Sequence, residues 1–359
     1  MSLYSTTLLL ANPDIYASIR LAYYHVIRQA LHSTLSNGSL DILVVQPPEA
    51  FREAHHILSQ LYTISGEIAK LEHKENVDVK VLLEGVGGFS VAEARNKSWE
   101  VVAISKSDSK ILPVFIAEQQ SSVFAPALPI IILPTGENST ISTMSSVTED
   151  VDDEPAVDLP ELSVLGGQLD DEGNLIEDSE GPEGSYEVVA VGGTFDHLHD
   201  GHKILLSMCG FLASKSLIIG VTGPSLLQNK KYKEYLQSYD DRSQRVIAFV
   251  NYIYPAIYAS THEINDIYGQ AVTIDAIDAL VVSAETKKGG LAVNLERLKR
   301  NMSPLSIWQI GVVNGDAENN WAGKLSSTDL RKQDYLQDEK LKQEKEATEG
   351  IRIAKEEEE

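Results

Sequence analysis

The sequence predicts an α/β protein built from two mostly parallel sheets covered by helices. Strand-like and helix-like patterns alternate through residues 1–145, and they alternate again through 187–335. Such alternation is what a layered sheet with crossover helices requires. A charge boundary separates the two parts: residues 149–187 hold 15 acids and no Lys or Arg, which is −15 of a formal net charge of −23. Glu149-Asp150-Val151-Asp152-Asp153-Glu154 and Asp170-Asp171-Glu172 sit there among scattered Gly and Pro. Self-repulsion and sparse apolar surface leave little to offset the entropy of ordering. Residues 146–186 are therefore expected to be a disordered acidic linker, with a partner-binding acidic segment as the alternative.

In the first part, Ser5–Ala11 and Leu40–Val45 are Leu-rich or β-branched runs closed by turn residues, which read as buried strands. Asp14–Leu35 and Ala50–Leu71 carry apolar residues at helical spacing. Val77–Leu83, Val101–Ile104 and Pro129–Leu133 add strands. No phosphate loop or ligand-like cluster occurs in 1–145, and Gly85–Gly88 reads as a turn, so the role of this part stays open.

The second part begins with Glu187–Val191, a β-branched strand running into Gly192-Gly193. A helix fits Gly201–Ala213, then a strand Ser216–Val221, a helix Asp241–Tyr254 and a strand near Ala256–Ser260. Ala279–Val282 and Ser306–Val313 read as central strands with Leu291–Arg300 helical between them. Residues 336–359 form a charged tail, helical or disordered. Ligands of open parallel sheets bind outside the carboxyl ends of the strands, so the chemistry belongs on that rim.

Composition excludes several classes. With 43% hydrophobic and 23% charged residues the 359-residue chain is of ordinary globular make-up. One cysteine, Cys209, rules out a disulfide framework and a Cys-based zinc site and fits a reducing compartment. No apolar run reaches the roughly 18 residues of a membrane span, and no basic flank precedes Arg20 to mark a secretory signal. A net charge of −23 argues against nucleic-acid binding by phosphate neutralisation. The expected setting is cytoplasmic, with no membrane and no nucleic acid as partner.

The chemistry concentrates in Gly192-Gly193-Thr194-Phe195-Asp196-His197-Leu198-His199-Asp200-Gly201-His202, a strand-to-helix turn holding three of the nine histidines. Glycines let the backbone approach a phosphate, and the following helix N-terminus supplies free N–H groups with partial positive charge. Thr194 adds a hydroxyl donor, and His199 and His202 can present ring N–H groups to oxygens that gain charge during attack at phosphorus. Zinc held by His197, His199 and His202 would need a fourth ligand and usually other spacing. A structural turn with incidental histidines is the plainer alternative. Asp196 or Asp200 could cap the helix in any of these cases.

A second motif is Leu325-Ser326-Ser327-Thr328-Asp329-Leu330-Arg331. Consecutive hydroxyl residues cap a helix, and the same N-terminus can hold phosphate oxygens with Arg331 as charge partner. Between the motifs, Asn229-Lys230-Lys231-Tyr232-Lys233 follows the second strand of this part, where a lysine could steady a phosphate. Glu285-Thr286-Lys287-Lys288-Gly289-Gly290 is expected to be a polar loop on the same rim, with Lys288 facing an anion.

These strings resemble a known family. GGTFDHLHDGH resembles the (H/T)xGH signature of the nucleotidyltransferase superfamily, LSSTDLR resembles its ISSTxxR partner, and Val281 to Asn294, VVSAETKKGGLAVN, is similar to the eukaryotic type of phosphopantetheine adenylyltransferase. The organisation resembles the fungal monofunctional form, since only the charged tail follows and no GxxxxGK[ST] occurs. The resemblance implies a Rossmann-like nucleotidyltransferase domain over 187–335, preceded by a smaller α/β domain, and adenylyl transfer from ATP to 4′-phosphopantetheine in coenzyme A biosynthesis. It implies that Thr194, His199, His202 and Lys230 are catalytic, with Lys231 competing for the lysine's place. Gly193, Phe195 and Gly201 in the first motif, and Ser326, Ser327, Thr328 and Arg331 in the second, would bind nucleotide. Mg²⁺ would bridge ATP phosphates without a dedicated protein site, and other coenzyme A pathway enzymes are conceivable partners. A cytidylyltransferase acting on a phosphorylated small alcohol shares both motifs. A class I aminoacyl-tRNA synthetase would need a larger chain and a basic surface. A scaffold or regulatory role is the non-enzymatic alternative, mainly for 1–145.

Overall fold

Leu8, Leu9, Leu10 and Ala11 are all fully buried in succession, so β1 (Tyr4–Ala11) lies mid-sheet with both faces covered. The computed structural model describes residues 3–92, 94, 97–113, 128–135, 166–176, 181–311 and 326–357. Beside β1 run β2 (Thr34–Val44), β3 (Asp78–Leu83), β4 (Val101–Ser105) and β5 (Ile130–Leu133), all parallel, in the order β3-β2-β1-β4-β5. Helices α1 (Ile19–Ser33) and α2 (Phe51–Leu71) are crossovers of this sheet. The helix expected from Asp14 starts five residues later. Asp14 instead accepts the Tyr16 N–H at 2.9 Å in a local turn, and Ser18 caps α1 by accepting the Leu21 N–H at 3.3 Å.

The second sheet contains β6 (Gly166–Leu169), β7 (Tyr186–Gly193), β8 (Ala213–Thr222), β9 (Tyr258–Ile264), β10 (Ala279–Ser283) and β11 (Ser306–Ile310), in the order β6-β11-β10-β7-β8-β9. All its pairings are parallel except β6 on β11. Helices α3 (Asp200–Leu212), α4 (Tyr239–Ile253) and α5 (Lys287–Lys299) join these strands, and α6 (Ser327–Glu357) follows β11. The chain moves outward from β7 through β8 and β9, then returns to β10 on the other side. The topological switch point is therefore between β7 and β10.

Three sequence expectations are corrected here. First, the acidic segment is not simply a linker, because β6 is part of the sheet. Pairing with β11 and a distant side chain order it: Arg52 of α2 donates to the Gly166 carbonyl at 3.2 Å and the Ile176 carbonyl at 2.8 Å. Asp170 accepts the Asn174 N–H at 2.7 Å. Gly166 is required, with φ of +77° and space for no Cβ, which would fall 2.1 Å from the Gln309 carbonyl. Residues 136–165 and 177–180 lie outside the described residues.

Second, the stretch 285–290 is not a loop. A capping box between Ser283 and Thr286 starts a 3₁₀ turn that leads directly into α5, so the helix begins at Lys287 rather than Leu291. Gly290 lets α5 approach the sheet, since a Cβ there would meet Val282 at 3.1 Å and Ile307 at 3.3 Å. Third, no break separates the second part from the tail at 335–336, because α6 runs unbroken for 31 residues.

The two parts, read from the sequence as separate domains, share one apolar core that runs from Leu8 to Ile310. Helix α2 packs on α3. Polar ties cross the same boundary: the Tyr252 hydroxyl donates to Asp41, which Trp99 Nε1 holds from its own side at 2.8 Å, and Lys97 donates to the Tyr252 carbonyl at 2.7 Å.

Candidate active site

The loop after β7 is held in an unusual backbone. Phe195 and His197 both have positive φ, 52° and 46°, a region that costs a non-glycine residue about 1–2 kcal/mol. The surroundings fix it. The fully buried Phe195 ring packs on the His202 ring with centroids 5.3 Å apart. The buried Asp196 carboxylate accepts the Gln237 N–H at 3.0 Å and the Arg331 guanidinium. The His197 N–H donates to Gln237 Oε1 at 2.9 Å, and its Nε2–H donates to the Tyr235 carbonyl at 3.1 Å.

His197 is thereby turned into the loop rather than toward His199 and His202. Among the described residues no group of three His, Cys, Asp or Glu side chains could hold a metal ion, which removes the basis for the three-histidine zinc alternative there. His199 occupies the N-cap of α3 in an extended conformation, and Asp200 opens the helix. The His199 and His202 rings stack, 3.9 Å between centroids and 23° between planes.

Helix α6 brings the second motif to the first. Ser326 and Asp329 cap each other: the Asp329 N–H donates to Ser326 Oγ at 3.2 Å and the Ser326 N–H to Asp329 Oδ2 at 3.1 Å. The hydrogen bonds hold the Asp329 carboxyl below its usual range. Ser327 Oγ donates to the Asp196 carbonyl at 2.8 Å. Arg331 is 1% exposed, and its guanidinium reaches the Lys231 carbonyl at 3.0 Å, Thr328 Oγ1 at 3.0 Å and the Asp196 carboxylate. Arg331 thus binds both motifs and the lysine loop to one another.

These groups open onto a cavity of about 760 Å³ at the carboxyl ends of β7 and β10. Its lining includes Gly193, Thr194, His199, Gly201, His202, Lys230, Ser326, Ser327, Thr328 and Arg331. The apolar part of the lining includes Ile218, Ile264, Tyr268, Ala271, Val282 and Val293. Every sequence-assigned site residue lines it except Phe195, whose buried ring supports His202 from behind and lies outside the lining. Lys230 lines the cavity, whereas Lys231 contributes its carbonyl to Arg331 and does not. Lys288 is exposed and absent from the lining, since α5 begins one residue earlier and turns it outward; Glu285, Thr286, Gly289 and Gly290 line the cavity instead.

Sequence reasoning missed Arg242. It is 1% exposed and donates to the Thr194 carbonyl at 2.6 Å, the Thr222 carbonyl at 2.9 Å and the Gln237 carbonyl at 3.1 Å. It therefore fixes the far side of the motif loop. A signal existed: Arg242 shares the buried stripe of α4 with Val246, Phe249, Val250 and Ile253, and a charge on such a stripe needs partners. Arg297 acts similarly behind the lining residue Ala271, donating to its carbonyl at 2.6 Å and to that of Ile274 at 3.1 Å.

A switch-point cavity with a histidine pair, a lysine and a hydroxyl-capped helix N-terminus defines the nucleotidyltransferase class, and the cytidylyltransferase-like family matches residues 190–333. Among curated proteins, a phosphopantetheine adenylyltransferase of Saccharomyces cerevisiae is 44% identical over 161 residues, 44% of this chain and 53% of that protein. An uncharacterized protein of Schizosaccharomyces pombe is 42% identical over 161 residues, 44% of this chain and 51% of that protein. A phosphopantetheine adenylyltransferase of Thermococcus gammatolerans is 37% identical over 146 residues, 41% of this chain and 88% of that protein. The chain belongs to the phosphopantetheine adenylyltransferase family, and its match spans about half the length of the two fungal relatives.

Proposed function

We propose that this protein transfers the adenylyl group of ATP to 4′-phosphopantetheine, giving dephospho-CoA and pyrophosphate, a step of coenzyme A biosynthesis. The observation that carries the reading is the convergence of Thr194, His199, His202, Lys230 and the N-terminus of α6 on one cavity. A phosphate oxygen of phosphopantetheine attacks the α-phosphorus of ATP, and the bond from that phosphorus to the bridging oxygen breaks to release pyrophosphate. Positioning and electrostatics dominate such a transfer. Thr194 and the backbone beyond Gly193 hold the α-phosphoryl group. His199 and His202 donate to oxygens whose charge grows in the transition state. Lys230 steadies the incoming phosphate, and Ser326, Ser327 and Thr328 hold the β- and γ-phosphates against the helix N-terminus. Arg331, with its donors directed at protein acceptors, holds these parts in register.

Mg²⁺ would accompany ATP as part of the substrate. Asp266 and Glu285 are the carboxylates of the cavity lining, and among the described residues no group of three His, Cys, Asp or Glu could hold a metal ion, so the protein's hydroxyl, amide and cationic donors would serve the phosphates while the ion would supply neutralisation of their charge. The names of the curated relatives favour ATP over the cytidylyl alternative. A cytoplasmic setting is supported by the single cysteine, Cys209, which fits a reducing compartment. Among the described residues no helix is long and apolar enough to cross a membrane. Pyrophosphate release tests the activity, with ATP or CTP offered against phosphopantetheine or phosphocholine. Turnover with ATP and phosphopantetheine is expected; preference for CTP, or silence with phosphopantetheine, overturns the reading.

A further inference from the structure

Helix α3 meets two different environments at its first turn. His199 and His202 face the cavity. Asp200 and Lys203, each one residue further and so rotated by roughly 100°, face the N-terminal half. Lys203 is 7% exposed, and its ammonium donates to Asp78 Oδ1 at 2.9 Å and to the Val79 carbonyl at 2.7 Å. Both acceptors sit at the start of β3, 125 and 124 positions away in sequence. The Asp200 carboxylate lies against α2, where a Cβ on Gly66 would be 3.0 Å from its Oδ2. Burial raises the Asp200 carboxyl above its ordinary range, and the Lys203 ammonium beside it works in the opposite direction. A buried ammonium is stable only where its partners are fixed, so Lys203 ties the position of α3 to the N-terminal sheet.

We propose that Lys203 is a positioning residue for adenylyl transfer, through which the N-terminal sheet sets the placement of His199 and His202. The half of the chain with no catalytic side chain of its own is then part of the catalytic apparatus. A displacement of about 1 Å at a reacting group costs on the order of 10²-fold in rate, and the first turn of α3 carries both histidines. The proposal rests on the reading of the site given above.

The test compares Lys203→Met, which keeps the apolar stem and removes the charge, with Asp78→Asn, their double variant and the exposed control Lys215→Met. Pyrophosphate release gives kcat and the ATP KM, thermal denaturation gives the folded fraction, and ¹⁵N-histidine spectra report the His199 and His202 rings. For Lys203→Met, kcat per folded molecule should fall about tenfold or more with a smaller change in KM, and both histidine signals should move. The double variant should be no worse than Lys203→Met alone, and Lys215→Met should match the wild type. Should Lys203→Met fail to fold, Asp78→Asn decides, since the Asp78 side chain is 54% exposed and the Val79 acceptor remains. It should show the same shifts at smaller amplitude. Unmoved histidine signals with unchanged kcat per folded molecule in the folded variants overturn the proposal. A wild type that releases no pyrophosphate overturns the assigned reaction instead, and the histidine spectra still decide whether Lys203 positions α3.

Discussion

The imidazoles of His199 and His202 lie one over the other, 3.9 Å apart at their centroids, with Phe195 packed behind the second ring. Neither ring can move without disturbing the other, so the two should act as a unit. His202→Ala should lower kcat by roughly 10²-fold, as loss of an oxyanion donor does, with a smaller change in ATP affinity. The double variant with His199→Ala should lose about as much as the worse single variant rather than the product of the two. Single-turnover rates on all three variants check this, and full additivity would sink it.

Lys230 and Lys231 are neighbours with different tasks. Lys230 lines the cavity, whereas Lys231 serves through its carbonyl, which any residue supplies. Lys230→Ala should therefore reduce kcat by roughly 10²-fold, and Lys231→Ala should stay within about threefold of wild type. Reversed effects would transfer the assignment to Lys231.

Arg331 and Asp196 form an ion pair whose side chains are 2% and 0% exposed. Removing one partner leaves the other charge buried. Arg331→Met should cost about 3–5 kcal/mol of stability, read as a shift of the denaturant midpoint. The phosphate site should be lost with it, because Thr328 and the Lys231 turn lose the same anchor. A variant of normal stability with only an altered KM for ATP would show that Arg331 is free to serve the nucleotide directly.

His55, 1% exposed in α2, is pulled by burial from its ordinary 6.5 down to about 3. Between these values the unfolded chain binds a proton that the native state refuses, so stability rises with pH across that window. It is lost as pH falls from 6.5 toward 3, at about 1.4 kcal/mol per pH unit for this one group. His55→Phe should flatten the stability profile between pH 4 and about 6.5 while changing little at pH 7.5. Chemical denaturation at these pH values measures it, and an unchanged acid slope would show that other groups dominate.

Strand β6 makes the acidic segment part of the second sheet. Deleting 166–184 should lower the melting temperature and shift Trp308 emission to the red, because Trp308 is 1% exposed and packs against Gly181. A deletion with wild-type melting and emission would show that this edge contributes nothing to the sheet.

Much of this arrangement was legible in the sequence because the signals were local. Apolar runs placed β1, β2, β7 and β10, helical spacing placed α2, α3 and α4, and three short strings placed every lining residue assigned in advance. What escaped depended on distant partners. Gly166–Leu169 reads as linker by composition, yet its order comes from β11, about 140 residues on, and from Arg52, 114 residues back. Phe195 stands in a ligand-binding string, but its positive φ points the ring inward. Lys203 carries no motif at all, since its partner Asp78 belongs to the other sheet.

The Asp196–Arg331 pair joins positions 135 residues apart, with most of the second sheet strung between them. Helices form in microseconds or less, whereas contacts of such separation must wait for a large loop to close. The site is therefore a late product of folding: both sheets can be in place while the nucleotide end of the cavity is still unmade. Slow-folding or destabilised molecules should pass through a state with native-like circular dichroism that cannot yet catalyse, and recovery of activity on refolding should lag behind recovery of secondary structure.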